Sequence, residues 1–95
     1  MDLTDYLEKV KDQKTFIEFA KALQEDKKDE NKKEKESPSD PYSHGRNGWE
    51  NTTIEGYLES AIAWAEDSDF GNRVDKTKNL WKKFAMFLYG GKIYE

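Results

Sequence analysis

The residues of this chain that could do chemistry are few, and the most suggestive lie in DSDFGN, residues 67–72. Asp67 and Asp69 have the spacing of the first two ligands of a calcium loop, where oxygens at alternate positions surround the ion. The pattern then fails: glycine comes one place early, at Gly71, and Lys78 stands where the bidentate glutamate belongs. The reading left is structural, with these acids capping a turn between helices and Phe70 held inward. His44, the one histidine, lies between Ser43 and Gly45 in a polar stretch, far from any carboxylate expected to be ordered. Without cysteine or a second histidine, a zinc site would rest on carboxylates, an unusual donor set for that ion. Ser60 and Ser68 have no partner base, and neither a GxSxG elbow nor a P-loop occurs. No catalytic residue, metal ligand or cofactor-binding residue is assigned.

A second group consists of Glu55, Glu59 and Glu66. At about 100° per residue they share one edge of a helix, close to Ile62. Carboxylates that trade protons need an enclosed pocket to shift their pKa values, and an outward helix edge supplies none. Such an edge suits the recognition of a charged surface instead. Trp49 precedes the same helix and has two readings: a staple that closes the core, or an exposed anchor for a partner, since tryptophan is enriched at interfaces. Trp49, Glu55, Glu59 and Glu66 therefore form the candidate partner-binding set.

These residues need elements to position them. Tyr6, Leu7 and Val10 have helical spacing behind Asp2 or Thr4, which predicts a short first helix. Phe16, Ile17, Phe19, Ala20 and Leu23 form the broad stripe of a second helix over about 13–27, capped by Asp12 or by Thr15 with Glu18. Asn51 or Thr52 starts a third over 52–66, on which Ile54, Tyr57, Leu58, Ala61, Ile62 and Ala65 share a face. A fourth over 76–89 carries Leu80, Trp81, Phe84, Ala85, Phe87 and Leu88 and ends at Gly90, whose freedom suits the left-handed residue after a helix. The expected fold is all-α: a small bundle of three main helices plus a short N-terminal helix, in one domain over residues 1–95. Its expected core is Phe16, Phe19, Leu23, Leu58, Ile62, Trp81, Phe84 and Leu88. Residues 28–47 have lost every large apolar side chain except Tyr42, and six acids alternate with five bases between Glu25 and Glu36. That composition predicts a mobile charged linker.

Composition narrows the function classes. Charged residues make up 38% of the 95, yet aromatic residues make up 14%, enough for a packed core. No cysteine is present, the N-terminus lacks the pattern of a secretory leader, and no run approaches the length of a membrane span. A cytoplasmic protein without a membrane partner is expected. The net charge of −4 is the wrong sign for nucleic acid. Its distribution is uneven: residues 47–72 hold six acids and no base, whereas 73–95 hold six bases and two acids. Either these segments pack as an antiparallel pair and compensate, or they form a polarised surface for a charged partner.

WEN at 49–51, the YLE of a Thr-capped helix that ends in AW and an acid, the Trp81-x-x-Phe84-Ala85 helix and the closing KIYE occur in order. Together they resemble an uncharacterised family of small bacterial proteins known as a domain of unknown function. The resemblance covers roughly residues 49–95, with weaker support from 16–23. It implies a compact helical domain and no particular activity.

Two functional expectations follow. The first is a non-enzymatic acidic domain that binds a basic protein, in an immunity-type or regulatory role, because small acidic proteins can mask basic surfaces by charge complementarity. The alternative is an enzyme or small-ligand binder with an aromatic pocket among Tyr57, Trp64, Trp81 and Tyr94. A flat acidic patch favours the first and a deep polar pocket the second; the sequence leaves the oligomeric state open.

Overall fold

The computed structural model describes residues 2–38, 47–73 and 77–94. It contains α1 (Leu3–Glu8), α2 (Gln13–Glu36), α3 (Ile54–Asp67) and α4 (Leu80–Ile93), with no strand among the described residues. The fold is thus all-α, three main helices plus a short N-terminal one.

The starts are set by local chemistry. Asp12 caps α2 by accepting from the Thr15 amide at 2.9 Å, while the Thr15 hydroxyl accepts from the Asp12 amide at 3.1 Å. The bonds from Thr15 hold the Asp12 carboxyl below its usual pKa. Thr53, one place beyond the expected cap, receives the Gly56 amide at 3.0 Å, and Asn79 receives the Lys82 amide at 3.1 Å. Each cap satisfies a donor that the first helical turn leaves unpaired.

Two boundaries differ from expectation. α2 continues nine residues beyond the expected end at Lys27, so 28–36 is helix and not linker. Ion pairs one turn apart line this extension, Lys28 with Glu25 at 3.4 Å and Lys33 with Asp29 at 2.9 Å, and Glu30 gives it a buried anchor. At the other end of the expected linker Asn47 is held on α2 by bonds to Asp26 and Glu30, and residues 39–46, with His44, lie outside the described residues. α4 starts later than expected and runs through Gly90 and Gly91 to Ile93. These glycines do not end the helix; they let two rings reach its backbone. A Cβ at Gly91 would stand 2.6 Å from the Tyr57 ring, and one at Gly90 3.0 Å from Trp64.

That approach decides how α3 sits. It packs on α4 and on no other helix, whereas α1 and α2 pack on each other and on α4. Its buried side is Ser60 and Ala61, with Tyr57 and Trp64 beside them. The central core comprises Val10, Phe19, Leu23, Trp49 and Ala85, with Phe16 and Leu88 packed at its margin. Four expected core residues are instead exposed: Leu58 (46%), Ile62 (49%), Trp81 (38%) and Phe84 (46%). Leu58 and Ile62 stay exposed because α3 packs on α4 alone, through the side that carries Tyr57, Ala61 and Trp64; Trp81 and Phe84 each meet one ring, Phe16 and Phe70, and keep much of their surface in solvent.

The turn after α3 takes the structural role expected of DSDFGN. Asp69, Phe70 and Gly71 all have positive φ, at 53°, 52° and 83°. This conformation is uncommon for a bulky residue such as Phe70. Ring packing holds it there, because Phe70 stacks on Phe87 at 5.8 Å between centroids and meets Trp64 and Phe84 edge-on.

Candidate functional site

Trp49 resolves to the staple. It is buried, its indole N–H donates to Asp26 at 2.8 Å, and its amide donates to Glu30 at 3.2 Å. The cations of Lys27 and Lys92 lie 5.2 and 5.7 Å from its ring centre. Lys92 also pairs with Asp26 at 2.7 Å. Glu30, only 1% exposed, accepts from the Asn47 and Trp49 amides and from Lys27, so both its oxygens are occupied. A buried carboxylate is tolerated on those terms. The Asn47 side chain also donates to Asp29, whose pKa is lowered by the bond from Lys33 and, after it, by this one.

Trp49 is therefore the hub of a polar clasp that ties the second half of α2 to the end of α4. Asn51 extends the clasp, donating to the Ser60 hydroxyl at 2.7 Å and to the Gly91 carbonyl at 3.2 Å. The Glu50 amide adds a bond to the Lys92 carbonyl at 2.9 Å. Sequence reasoning missed Asp26, Glu30 and Lys92, which sit in charge-rich or terminal segments where solvation is the ordinary expectation. The available signal was WEN, an aromatic and two polar residues directly before a helix.

The three glutamates stand apart from this clasp. Glu55, Glu59 and Glu66 are exposed, and none forms an ion pair among the described residues. The cations of α4 turn elsewhere: Lys82 donates to the Glu8 carbonyl, Lys83 to Asn72 and Lys92 to Asp26. The charge asymmetry is thus not neutralised by ion pairs between α3 and α4. Helical spacing orders the outer surface of α3, from Tyr57 and Ala61 against α4, through the exposed row Ile54, Leu58 and Ile62, to the glutamate edge facing solvent. The acids border an apolar ridge.

The residues of a possible aromatic pocket disperse. Trp81 packs on Phe16 and Trp64 on Phe70, while Tyr57 packs beside Trp49 and donates to the Leu88 carbonyl at 2.6 Å. Burial pushes the Tyr57 phenol up to about 12. Tyr94 donates to the Asp67 carboxylate, a bond that raises its own pKa, and lines a separate cleft with Glu50, Asn51, Glu59 and Ser60. Ser60 and Ser68 are engaged in structural hydrogen bonds, Ser68 with the Trp64 carbonyl and the Gly71 amide. Among the described residues no three His, Cys, Asp or Glu side chains converge as metal ligands, and no helix is long and apolar enough to cross a membrane.

No curated protein and no solved structure matches the chain. The sequence words WEN and KIYE, separated by some 40 positions, meet in the clasp where Trp49 and Glu50 contact Lys92. A family model matches residues 12–95, which takes in this clasp and all three main helices, and the chain belongs to that family, the family of unknown function DUF7660.

Proposed function

We propose that this protein is a non-enzymatic recognition domain that binds a basic protein through the outer surface of α3. One observation carries the reading: Ile54, Leu58 and Ile62 stay exposed beside Glu55, Glu59 and Glu66, none of which has an ion pair within the described chain. An apolar strip flanked by uncompensated charge of one sign suits a partner with the complementary layout. Burial of the ridge supplies affinity, and the acids supply steering and selectivity. The proposed role is regulatory, masking a cationic surface in the manner of an immunity-type protein. The proposal places it in a bacterial cytoplasm, as the cysteine-free sequence and the family resemblance suggest.

The test is capture from host extract by the wild type and by Glu55→Lys/Glu59→Lys, at low and at high salt. The expected result is a basic protein retained by the wild type, released by salt and absent from the variant, while both proteins keep the same helical circular dichroism. A folded variant that retains every partner of the wild type refutes the proposal.

A further inference from the structure

The gap between α2 and α3 is distinct from the glutamate edge. Both helices pack on α4 but not on each other. Between them lies an open groove of about 490 Å³, within the size range of small-molecule sites. Its body is apolar: Ala20 and Leu23 of α2, Ile54 and Tyr57 of α3, Leu88 of α4, and Trp49. One turn toward the start of α2 and of α4 stand Ile17 and Phe84, 43% and 46% exposed, so the apolar surface continues past the groove.

Polarity along this groove is graded. α2 runs antiparallel to α4, since Asp26 meets Lys92 and Phe16 meets Trp81. At the Lys92 end the lining is polar, with Lys27, Lys28, Asn31, Asn51, Thr52 and Thr53, and in the other direction it gives way to Leu23, Ala20 and Leu88. No acid is among the described residues that line it. The two lysines differ in what they already hold. Lys27 pairs with the buried Glu30 at 2.9 Å and lies over the Trp49 ring, so its charge is answered within the clasp. Lys28 has a single ion pair, at 3.4 Å with Glu25, in which the side chains are 64% and 70% exposed. Such a pair contributes little in water, and Glu25 lines the cleft on the far side of α2. Lys28 is the cation left for a ligand.

An apolar trough with one weakly held cation at its polar end has the layout of an anionic amphiphile in negative. We infer that the groove binds a free medium-chain carboxylate, with its acid group at Lys28 and its alkyl tail along Leu23, Ala20 and Leu88 toward Ile17. From Lys28 to Ile17 α2 rises roughly 16 Å, the reach of such a tail. Burial of the tail supplies affinity, and the ion pair orients the head. A wholly polar ligand fits less well, because its site needs several convergent polar groups, and no buried side-chain polar atom among the described residues lacks a hydrogen-bond partner. This site goes beyond the recognition reading of α3 and does not depend on it. It shares Ile54 with the ridge and none of the three glutamates.

The probes are dodecanoate, hexanoate and dodecanol, each titrated as monomer into the isotopically labelled full chain and followed by NMR. Saturable shifts centred on Leu23, Ile54 and Leu88 are expected. Dodecanoate should bind at least a hundredfold tighter than hexanoate, because most of the tail is buried. It should bind about fivefold tighter than dodecanol, the scale of one exposed ion pair. Lys28→Glu should remove that preference and leave dodecanol binding unchanged. Ala20→Phe puts a ring into the trough and should abolish binding of both; if that variant loses its helical circular dichroism, Lys28→Glu alone decides.

If dodecanol binds as tightly as dodecanoate, or Lys28→Glu leaves the preference intact, the carboxylate assignment fails. If no probe binds, the site itself fails, and the reading of the glutamate edge is untouched. Glu55→Lys/Glu59→Lys keeps the two apart: it should bind dodecanoate as the wild type does, and a loss there would place the acid on the ridge and overturn the inference. Two further measurements cover other occupants. A chain that floats with anionic vesicles but ignores free dodecanoate would make the occupant a membrane, and a dimer that Ala20→Phe converts to folded monomer would make it a second copy; either result overturns the inference.

Discussion

The clasp around Trp49 and the outer ridge of α3 are inverses of each other. In the clasp, Asp26, Glu30 and Lys92 meet around one indole, and Glu30 and Lys92 are buried. On the ridge, Ile54, Leu58 and Ile62 face solvent. The charges are tolerated inside because every one finds partners: two amides and an ammonium for Glu30, an indole N–H and an ammonium for Asp26. The aliphatic residues remain outside because α3 packs on α4 alone, through the side that carries Tyr57 and Trp64. Burial here follows the availability of a partner more closely than it follows hydrophobicity.

That contrast can be broken by substitution. The largest effect is expected at the center: Phe19→Ala removes a fully buried ring and should cost about 3–5 kcal/mol in urea denaturation. Next comes Glu30→Ala, which strands the buried Trp49 amide and leaves the Asn47 amide and Lys27 without this partner. A loss of about 3 kcal/mol is expected, with a change in tryptophan fluorescence. A loss under about 1 kcal/mol would mean that water satisfies the clasp as well as Glu30 does.

A smaller effect should come from Tyr57, which lies between the two regions. Its phenol ionises near 10 when unfolded and at about 12 when folded. The stabilisation is fully present below pH 10 and is lost as pH rises from 10 to 12, because only the unfolded chain then gives up its proton. After discounting for the ring's partial exposure, roughly 1 kcal/mol should disappear across that window. The urea midpoint of the wild type should therefore fall more steeply there than that of Tyr57→Phe; parallel curves would show that the hydroxyl is not desolvated. The smallest effect is expected on the ridge, where Leu58→Ser should change stability by no more than about 0.5 kcal/mol. A large, concentration-dependent loss would show that the ridge is covered in solution.

The same contrast explains which parts of the molecule could be read from the chain alone. Helix existence was legible because caps and periodicity are local: Asp12 with Thr15, and the alternation of Tyr57, Ala61 and Trp64, act within one or two turns. Of the candidate site, the exposed positions of Glu55, Glu59 and Glu66 followed from spacing. Trp49 did not, because both of its readings satisfy the same local pattern. Glu30 was invisible for a related reason: among the alternating charges of 25–36, its burial depends on amides 17 and 19 residues away.

The sequence by itself therefore determined an all-α chain, the approximate helices, the absence of cysteine chemistry, and an acidic edge on α3, since each depends on composition or on neighbors within a turn. Tertiary structure decided which sides of those helices are buried. Periodicity can define a broad apolar stripe, but not which part of it finds a partner. The backbone space at Gly90 and Gly91 brings Tyr57 and Trp64 onto α4, and this contact, made between residues some 25–35 positions apart, leaves Leu58 and Ile62 exposed.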